Sequence, residues 1–460
     1  MLLGDDPAAY FQGESWKASF LPRAELAPLQ LQVAQGRFAS LKDRLPPLQA
    51  LAHSQQIAEI DTIETLGKLL FPQSFYKSYD PALLQEGDYG RLADWLQRVT
   101  MRPLGALRGR SIATLDEMFA ILERECGVRL VHSSGTTGVL SLFPRGTSEW
   151  QAHLRQMRAL TPGWTGQPED AFGAPPFAVV WCGFEGGHSA IGGATDLMRA
   201  IFVRRPELFV TTMVGNTSVD FHWFLLRLEA AKAAGLPQPR LSDYVAARID
   251  AAEEGRLAYD QALDQVLALV RGDFRDERVM LAGPPILVHQ LVARGLQQGM
   301  TDCFTPASAV TTFGGTKRLG PIETLERDIV RFTGLPGSLD SYGMTEMLGT
   351  VPACSQGHYH FQTTQLPFVF DLDSGALLPA QGRQTGRLGI FDLMAQSFWG
   401  GTLSADKVTL EWEPCACGRH TPHIIGGIER VPDPEESRPP YAASDAAVNA
   451  AFEALQGSGG

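Results

Sequence analysis

From about residue 110 onward, short apolar segments of strand length alternate with segments of helical periodicity. The strand candidates are VRLVH, FAVVW, LFVTTMV, RVMLAG and SAVTTF, and helical patterns such as ILVHQLVARGL and IETLERDIVRF follow several of them. One helix, LDEMFAILERE, carries its own boundaries, since a capping box at Thr114 and Glu117 precedes it and Gly127 follows it. Alternation of this kind is typical of parallel sheets, which present ligand-binding groups at the carboxyl ends of their strands. The sequence therefore predicts an α/β fold with parallel-rich sheets.

The two ends of the chain differ from this α/β region. Residues 1–110 contain segments such as LQLQVAQGRFASLKDRL and IDTIETLGKLL, in which apolar positions recur at three- and four-residue spacing. Residues 434–460 begin as a Pro-rich linker, continue as one short helical segment and finish in Gly and Ser. The expected organisation is a helical N-terminal region over 1–110, a main region over 111–433 and a short tail.

Charge and hydropathy exclude several classes of function. The net charge of −12 is spread over 460 residues without an acidic tail, which argues against a nucleic-acid or anionic-membrane partner. The first residues, MLLGDDPAAYFQGESW, are acidic where a signal peptide is basic. No run reaches the roughly 18 apolar residues that a membrane span needs. We therefore expect a cytoplasmic protein with no membrane span and with reduced thiols.

A loop rich in glycine and hydroxyl residues follows the first predicted strand. It consists of Ser133, Ser134, Gly135, Thr136, Thr137 and Gly138. Small residues let backbone N–H groups turn toward a phosphate, and the hydroxyl groups add further donors. The loop lacks the Gly-Lys-Ser/Thr ending of a P-loop, so it is not of that type. An ordinary Gly/Ser/Thr surface loop is the alternative interpretation.

A second motif combines an aromatic ring, a glycine, a hydroxyl group and a carboxylate. It is the run Ser341-Tyr342-Gly343-Met344-Thr345-Glu346. Such a ring can stack on a base, the hydroxyl group can reach a phosphate, and the carboxylate can hold Mg²⁺. A tight turn with a capping Thr/Glu pair explains the same letters.

The order of the motifs resembles that of the adenylate-forming (AMP-binding) superfamily. SSGTTG, FGGTKRLG, SYGMTE and TGRLGIFDL follow one another, and an aspartate in LSADKVTLEW and an arginine in GGIERVPD come later. The resemblance implies the large N-terminal-type domain of that superfamily, with ATP bound at the loop from Ser133 to Gly138. It also implies that Glu346 is a Mg²⁺ ligand. Further nucleotide contacts are implied at Gly314, Gly315, Tyr342, Gly343, Thr345, Asp406 and Arg430.

Two details are similar to the luciferin-component acyl-protein synthetases and the phenylacetate–CoA ligases. They are the GG-x-K of GGTKRLG and the pair CSQGHYH and PCACGRHTP. The resemblance implies that a carboxylic acid reacts with ATP to give an acyl-adenylate, and that a nucleophile such as a partner-protein thiol then takes the acyl group. An aromatic or fatty acid would suit the aromatic residues Phe172, Phe177, Trp181 and Phe184, although aromatic residues near strands are more often part of the core. An acid–CoA ligase is the alternative enzyme. A non-catalytic descendant that binds nucleotide or a partner protein is the alternative from another class.

The proposed reaction needs a cation near the phosphates. In the superfamily a lysine of a mobile C-terminal domain supplies it, but only 27 of the 460 residues follow Asp433, so we expect that domain to be absent. Lys317 in GGTKRLG is our candidate, and a solvated lysine beside Arg318 is the alternative. His188, which follows the Gly-rich WCGFEGG, could meet the substrate carboxylate. A histidine satisfied by the backbone is equally compatible with that pattern.

Cysteine and histidine residues cluster late in the chain. Cys354 and His360 lie in CSQGHYH, and Cys415 and Cys417 form a C-x-C pair. Three thiolates and one imidazole make a complete tetrahedral set for structural zinc, with His358 as an alternative ligand. Such a site would join the segment after Glu346 to a later β-region, over about 350–425. Ordinary reduced thiols, or one cysteine acting as a nucleophile, are the alternatives.

Overall fold

The structure, a computed structural model, describes residues 18–133, 139–159, 161, 177–203, 205–213, 215–315, 322–431 and 445–456. The chain divides into two compact units. The first comprises residues 1–130, 141–156 and 345–460, and the second comprises residues 131–140 and 157–344. Among the helices within the described ranges, none combines the length and hydropathy that a bilayer crossing requires.

The helices are α1 (Arg23–Leu41), α2 (Pro46–Ser54), α3 (Ile63–Gly67), α4 (Ala82–Glu86), α5 (Tyr89–Leu96), α6 (Leu115–Cys126), α7 (Thr147–Ala159), α8 (Ala190–Phe202), α9 (Val219–Ala234), α10 (Asp243–Arg271), α11 (Pro285–Gln297), α12 (Leu325–Thr333) and α13 (Asp445–Gln456). The strands are β1 (Phe71–Pro72), β2 (Val128–His132), β3 (Leu142–Gly146), β4 (Phe177–Trp181), β5 (Gly186–Gly187), β6 (Phe209–Thr211), β7 (Asn216–Thr217), β8 (Arg278–Gly283), β9 (Ala309–Phe313), β10 (Leu339–Tyr342), β11 (Val351–Pro352), β12 (Tyr359–His360), β13 (Gln365–Phe370), β14 (Arg383–Asp392), β15 (Gly401–Glu411) and β16 (His423–Arg430).

The sheet of the first unit is mainly antiparallel. Its strands follow the order β12-β16-β15-β14-β13, and each of these pairs is antiparallel. The short strand β1 from the N-terminal region pairs with β15 in parallel, with Phe71 opposite Thr402. The helical pattern of the N-terminal region is confirmed by α1–α5. The pairing of β1 shows in addition that this region contributes directly to the sheet.

The helix near the C-terminus is part of the first unit's packing. The predicted short helix forms as α13 and packs against α2. The ring of Phe452 lies 5.6 Å from that of Phe75, and Arg98 Nη1 donates a hydrogen bond to the carbonyl of Ala454 at 3.1 Å. An isolated helix of this length is marginal in water, so packing of this kind supplies most of its stability.

Helix α6 shows how local sequence fixes an element's ends. Thr114 Oγ1 accepts a hydrogen bond from the Glu117 N–H at 3.1 Å, and Glu117 Oε2 accepts one from the Ala113 N–H at 2.8 Å. Gly127 adopts φ 61° at the C-terminal end, in the left-handed region that glycine tolerates best. The predicted boundaries of this helix are confirmed.

The second unit contains the predicted parallel sheet. The strands β10, β9, β8, β4 and β6 lie side by side, and every pair among them is parallel. All five residues of β4, the FAVVW segment, are buried, as expected for a central strand covered on both faces. Helices α10, α11 and α12 pack with β8 and β9 around a core that includes Leu267, Leu281 and Phe332. The five strand candidates of the sequence all contain strands, which confirms the α/β prediction.

Candidate functional site

Three residues from separate motifs meet in the first unit. Asp406 on β15 is directly opposite Arg430 on β16 in the antiparallel register, and Arg430 Nη1 lies 3.3 Å from Asp406 Oδ1. Arg430 Nη2 donates to Gln73 Oε1 at 3.2 Å. The other end of the Gln73 amide, Nε2, donates to Glu346 Oε1 at 2.9 Å. Two predicted nucleotide contacts, Asp406 and Arg430, and the predicted magnesium ligand Glu346 therefore belong to one hydrogen-bonded chain.

Sequence reasoning missed Gln73. It lies directly after β1, at the start of a 3₁₀ helix over Gln73–Lys77, and the pairing of β1 with β15 brings it toward Asp406. A single glutamine in FPQSFYK carries no local signal of function. Only the long-range pairing of the two strands reveals its position.

The Glu346 carboxyl is buried, with 6% of the residue exposed. Burial raises its pKa above the ordinary range, while the hydrogen bond from Gln73 and the charge of Arg430 oppose that rise and Asp406 adds to it. A buried carboxylate of this kind is short of positive charge. A cation at this position would supply that charge, so the residue fits the predicted role of a Mg²⁺ ligand.

The backbone on both sides of Glu346 is held by a buried arginine. Arg145 Nη2 donates to the carbonyl of Thr345 at 2.6 Å and to that of Met347 at 2.5 Å. The next N–H, of Leu348, donates to Asp392 Oδ2 at 2.8 Å. Burial lowers the pKa of Arg145 to about 10 and raises the pKa of Asp392 to about 6. Sequence reasoning missed both residues, although they fix the segment that carries Glu346.

In the second unit, two predicted nucleotide segments leave the same edge of the parallel sheet. Gly314 and Gly315 follow β9, and Tyr342 ends β10 with Gly343 after it. The two strands are adjacent and in parallel register, with Phe313 opposite Ser341. Gly314 and Gly315 adopt φ 82° and 58°, in the left-handed region, and a Cβ at either position would meet no atom of the described residues within 4 Å. The left-handed conformation explains why glycine occupies both positions.

The start of the predicted phosphate loop lies beside His188. The N–H of His132, the last residue of β2, donates to the carbonyl of His188 at 3.3 Å, and Ser133 follows His132 directly. The imidazole rings of His132 and His222 are 5.2 Å apart. Ser133 and His188 are thus brought together, and His132 and His222 are additional neighbours that sequence reasoning missed. The other predicted loop residues, Ser134, Gly135, Thr136, Thr137 and Gly138, and the candidate cation Lys317, lie outside the described residues.

The four predicted zinc ligands converge in the first unit. Their ligand atoms, from Cys354, His360, Cys415 and Cys417, all lie within 4.8 Å of one another. Cys354 Sγ is 4.0 Å from Cys415 Sγ, and Cys417 Sγ is 3.4 Å from His360 Nε2. The cysteine pair lies between β15 and β16, and the other two ligands lie between β11 and the end of β12. Three thiols and one imidazole at this separation fit a tetrahedral zinc ion.

A second group of potential ligands overlaps the first. It consists of His358, Cys415 and His423, and His358 Nδ1 lies 3.3 Å from Cys415 Sγ. His358 was the predicted alternative ligand, whereas His423 was missed. The ring of His423 stacks on those of His358 and His360, with centroids 5.1 and 4.7 Å away. The histidines therefore pack as a layer beside the thiols.

Burial shifts the protonation equilibria of two residues of this cluster, His360 and Cys415. It lowers the pKa of His360 to about 3, so the imidazole is neutral, as a metal ligand must be. It also raises the pKa of the Cys415 thiol to about 12. A bound metal ion would reverse that shift, because a coordinating thiol is deprotonated.

The chain resembles known proteins in structure, although its sequence matches none of the family models or curated proteins. Among solved structures, 2-hydroxyisobutyryl-CoA ligase in complex with 2-HIB-AMP and CoA matches with a TM-score of 0.49 and 15% identity, over 90% of this chain and 70% of that chain. ATP-bound MatB from Rhodopseudomonas palustris matches with a TM-score of 0.36 and 14% identity, over 65% and 47% of the two chains. The long-chain-fatty-acid–CoA ligase FadD1 from Archaeoglobus fulgidus matches with a TM-score of 0.35 and 13% identity, over 66% of this chain and 51% of that chain.

Proposed function

We propose that this protein is an ATP-dependent enzyme that activates a carboxylic acid as an acyl-adenylate, releases pyrophosphate and passes the acyl group to a nucleophile. The observation that carries the proposal is the meeting of Glu346, Asp406 and Arg430 in one hydrogen-bonded chain. These residues come from three separate motifs, and no local feature of the sequence requires them to meet. A site that binds a nucleotide together with a cation needs these three residues close to one another.

In the first unit, each residue has a role that follows from its chemistry. The Asp406 carboxylate is suited to accept hydrogen bonds from the ribose hydroxyl groups, and the Arg430 guanidinium holds that carboxylate in place. Glu346 would hold Mg²⁺, which when bound neutralises charge on the phosphates. The hydrogen bonds from Arg145 to the carbonyls of Thr345 and Met347 would keep the Glu346 backbone in one position while the nucleotide binds.

In the second unit, residues at the strand ends are proposed to bind nucleotide and acid. Tyr342 is proposed to stack on the base, and Gly314 and Gly315 are proposed to let the adenine approach the backbone closely. The N–H groups of the loop that begins at Ser133 are proposed to bind phosphate. His188 is proposed to meet the substrate carboxylate, next to that loop.

The transferring α-phosphate carries developing negative charge, and Lys317 is proposed to neutralise it. Its sequence position directly after the Gly314–Gly315 pair and Thr316 supports this role, because a lysine beside an anionic site binds phosphate as a point charge.

The zinc ion is proposed to be structural. Cys354, His360, Cys415 and Cys417 provide four ligands, so no coordination position remains for a substrate. The ion would join the β11–β12 segment to the connection between β15 and β16. Since Arg430 lies at the end of β16, the metal would stabilise the strand pair that holds Asp406 against Arg430.

The acyl acceptor is inferred from the resemblance described above, and the acid from the aromatic residues of the sequence. We propose an aromatic or fatty acid as the substrate and a partner-protein thiol as the acyl acceptor.

Product analysis tests the reaction type. The purified protein is incubated with ATP, Mg²⁺ and a panel of aromatic and fatty acids, and the nucleotide products are separated by chromatography. We expect AMP and pyrophosphate, formed only when an acid is present, and a strong loss of both in Asp406→Asn. Formation of ADP and phosphate, or hydrolysis that is indifferent to every acid, contradicts the proposal.

A further inference from the structure

The side-chain amide of Gln73 connects the two charged groups that flank it. Its N–H group donates to Glu346 at 2.9 Å, and its carbonyl oxygen accepts from Arg430 at 3.2 Å. An amide has one donating end and one accepting end, so the two partners together permit a single orientation of the group. Gln73 is therefore oriented by its partners and in turn orients them.

The resulting chain runs from Asp406 through Arg430 and Gln73 to Glu346. Negative and positive groups alternate along it with the neutral amide between Arg430 and Glu346, and hydrogen bonds arranged in this way polarise one another. The bond from Gln73 to Glu346 Oε1 also restricts rotation of that carboxyl group, and so determines where its second oxygen points. An outer partner that orients a ligand commonly accounts for 10- to 100-fold in metal affinity, by the general behaviour of such contacts.

The 3₁₀ helix that begins with Gln73 is held in place by aromatic packing. The next aromatic residue, Phe75, stacks on Phe71 at 4.0 Å and is fully buried. The hydroxyl group of Tyr76 donates to the carbonyl of Trp399 at 2.9 Å. Phe452 of α13 packs on Phe75 from the other end of the chain. A side chain held on such a base keeps its position when its partners bind ligands.

We propose that Gln73 is a positioning residue that couples the Glu346 cation site to the Asp406–Arg430 ribose site, so that a divalent cation and a nucleotide bind cooperatively. The inference rests on the proposed function, because it takes the nucleotide and cation roles of these residues from it. Gln73 itself need not touch either ligand. Its effect lies in the hydrogen bonds on its two sides.

The test measures coupling rather than turnover. Mn²⁺ affinity is measured by electron paramagnetic resonance with and without α,β-methylene-ATP, an analogue that cannot be cleaved at the α-phosphate. The ratio of the two affinities is the coupling factor, and coupling between sites is typically 5- to 150-fold. We expect Gln73→Leu to reduce the wild-type factor by about 10-fold or to unity, the scale of a lost orienting contact.

Two further variants separate the halves of the bridge and control for stability. Gln73→Glu, assayed at alkaline pH where the new side chain is ionised, keeps an acceptor for Arg430 but does not donate to Glu346, so nucleotide affinity without cation is retained while the coupling factor falls. Gln35→Leu is the matched control, since the Gln35 amide donates to the Ile60 carbonyl at 2.8 Å, away from the bridge. It should keep the wild-type coupling factor.

The outcomes distinguish this inference from the proposed function. If the wild-type protein couples the two ligands and both Gln73 variants couple them equally well, the bridge has no positioning role and only this inference is overturned. If the wild-type protein binds neither Mn²⁺ nor the analogue, the proposed function fails and the inference fails with it. In a Glu346→Gln background, Gln73→Leu should have no additional effect on the coupling factor.

Discussion

Replacing Arg145 by methionine should destabilise the protein and should do so in a pH-dependent way. The substitution removes hydrogen bonds to the carbonyls of Thr345 and Met347, each from a charged donor and worth about 1.5–3 kcal/mol. It also leaves the buried Asp392 carboxyl without a cation that favours its ionised form. Breaking a buried charge arrangement by removing one partner costs about 3–5 kcal/mol, and we expect a loss of that size in the free energy of unfolding at pH 7.5.

The pH dependence follows from the direction of the Asp392 shift. Burial raises the pKa of this carboxyl to about 6 from an ordinary value of 3.8. A carboxyl group with a raised folded pKa binds a proton more tightly in the folded state, so stability falls as the pH rises from about 4 through 6. Arg145 lowers that pKa, so Arg145→Met raises it further, and each additional unit costs about 1.4 kcal/mol above the new value. The loss caused by the substitution should therefore be at least about 1 kcal/mol larger at pH 7.5 than at pH 5.

Urea unfolding followed by tryptophan fluorescence at both pH values measures this difference. Asp392→Asn removes the titrating group, so a double-mutant cycle with Arg145→Met isolates the pair, and the coupling energy should be large at pH 7.5 and small at pH 5. Arg91→Met is the control, because Arg91 is exposed and its ion pair with Asp88 is 4.0 Å long. It should cost under about 0.5 kcal/mol. Equal losses at the two pH values for Arg145→Met, or a loss no larger than that of the control, would refute the reasoning.

Two further predictions concern the metal and the cation. The purified protein should contain about one zinc per chain by elemental analysis. Cys417→Ser should lose the zinc and melt at a lower temperature, whereas Cys303→Ser, outside the cluster, should keep it. Metal-free protein with a melting temperature that chelators leave unchanged would rule the site out. Lys317→Ala should slow acid-dependent pyrophosphate exchange by at least ~10²-fold while ATP affinity changes far less, as for a charge that acts in the transition state; an unchanged exchange rate means that another group supplies the cation.

Local signals in the sequence predicted much of the fold. The apolar run of β4 and the capping box of α6 depend only on neighbouring residues, and both appear as expected. Boundaries were less accurate where the local signal was weak. Helix α12 begins at Leu325, three residues after the start of the helical pattern, with Thr324 as its N-cap residue.

The candidate site was predictable only in part, for a physical reason. Glu346, Asp406 and Arg430 belong to motifs with distinctive chemistry, so they could be named before their contacts were known. Gln73 and Arg145 form hydrogen bonds with the Glu346 segment although they lie 273 and 200 residues away from their partners in the sequence. Their positions depend on strand pairing and burial between distant parts of the chain, and neither residue type signals this role. Such supporting residues emerge only when the fold is known.

Acid-dependent exchange of labelled pyrophosphate into ATP tests the central claim most directly, because exchange requires reversible formation of an acyl-adenylate. It is measured with the wild-type protein and Glu346→Gln over a panel of carboxylic acids. We predict exchange with at least one acid and none without acid, and a rate lower by roughly two orders of magnitude in the variant, the scale of one lost electrostatic contact to the transition state. The melting temperature of the variant should stay close to that of the wild type. Exchange that ignores the acid, or an equal rate in Glu346→Gln, would contradict the account.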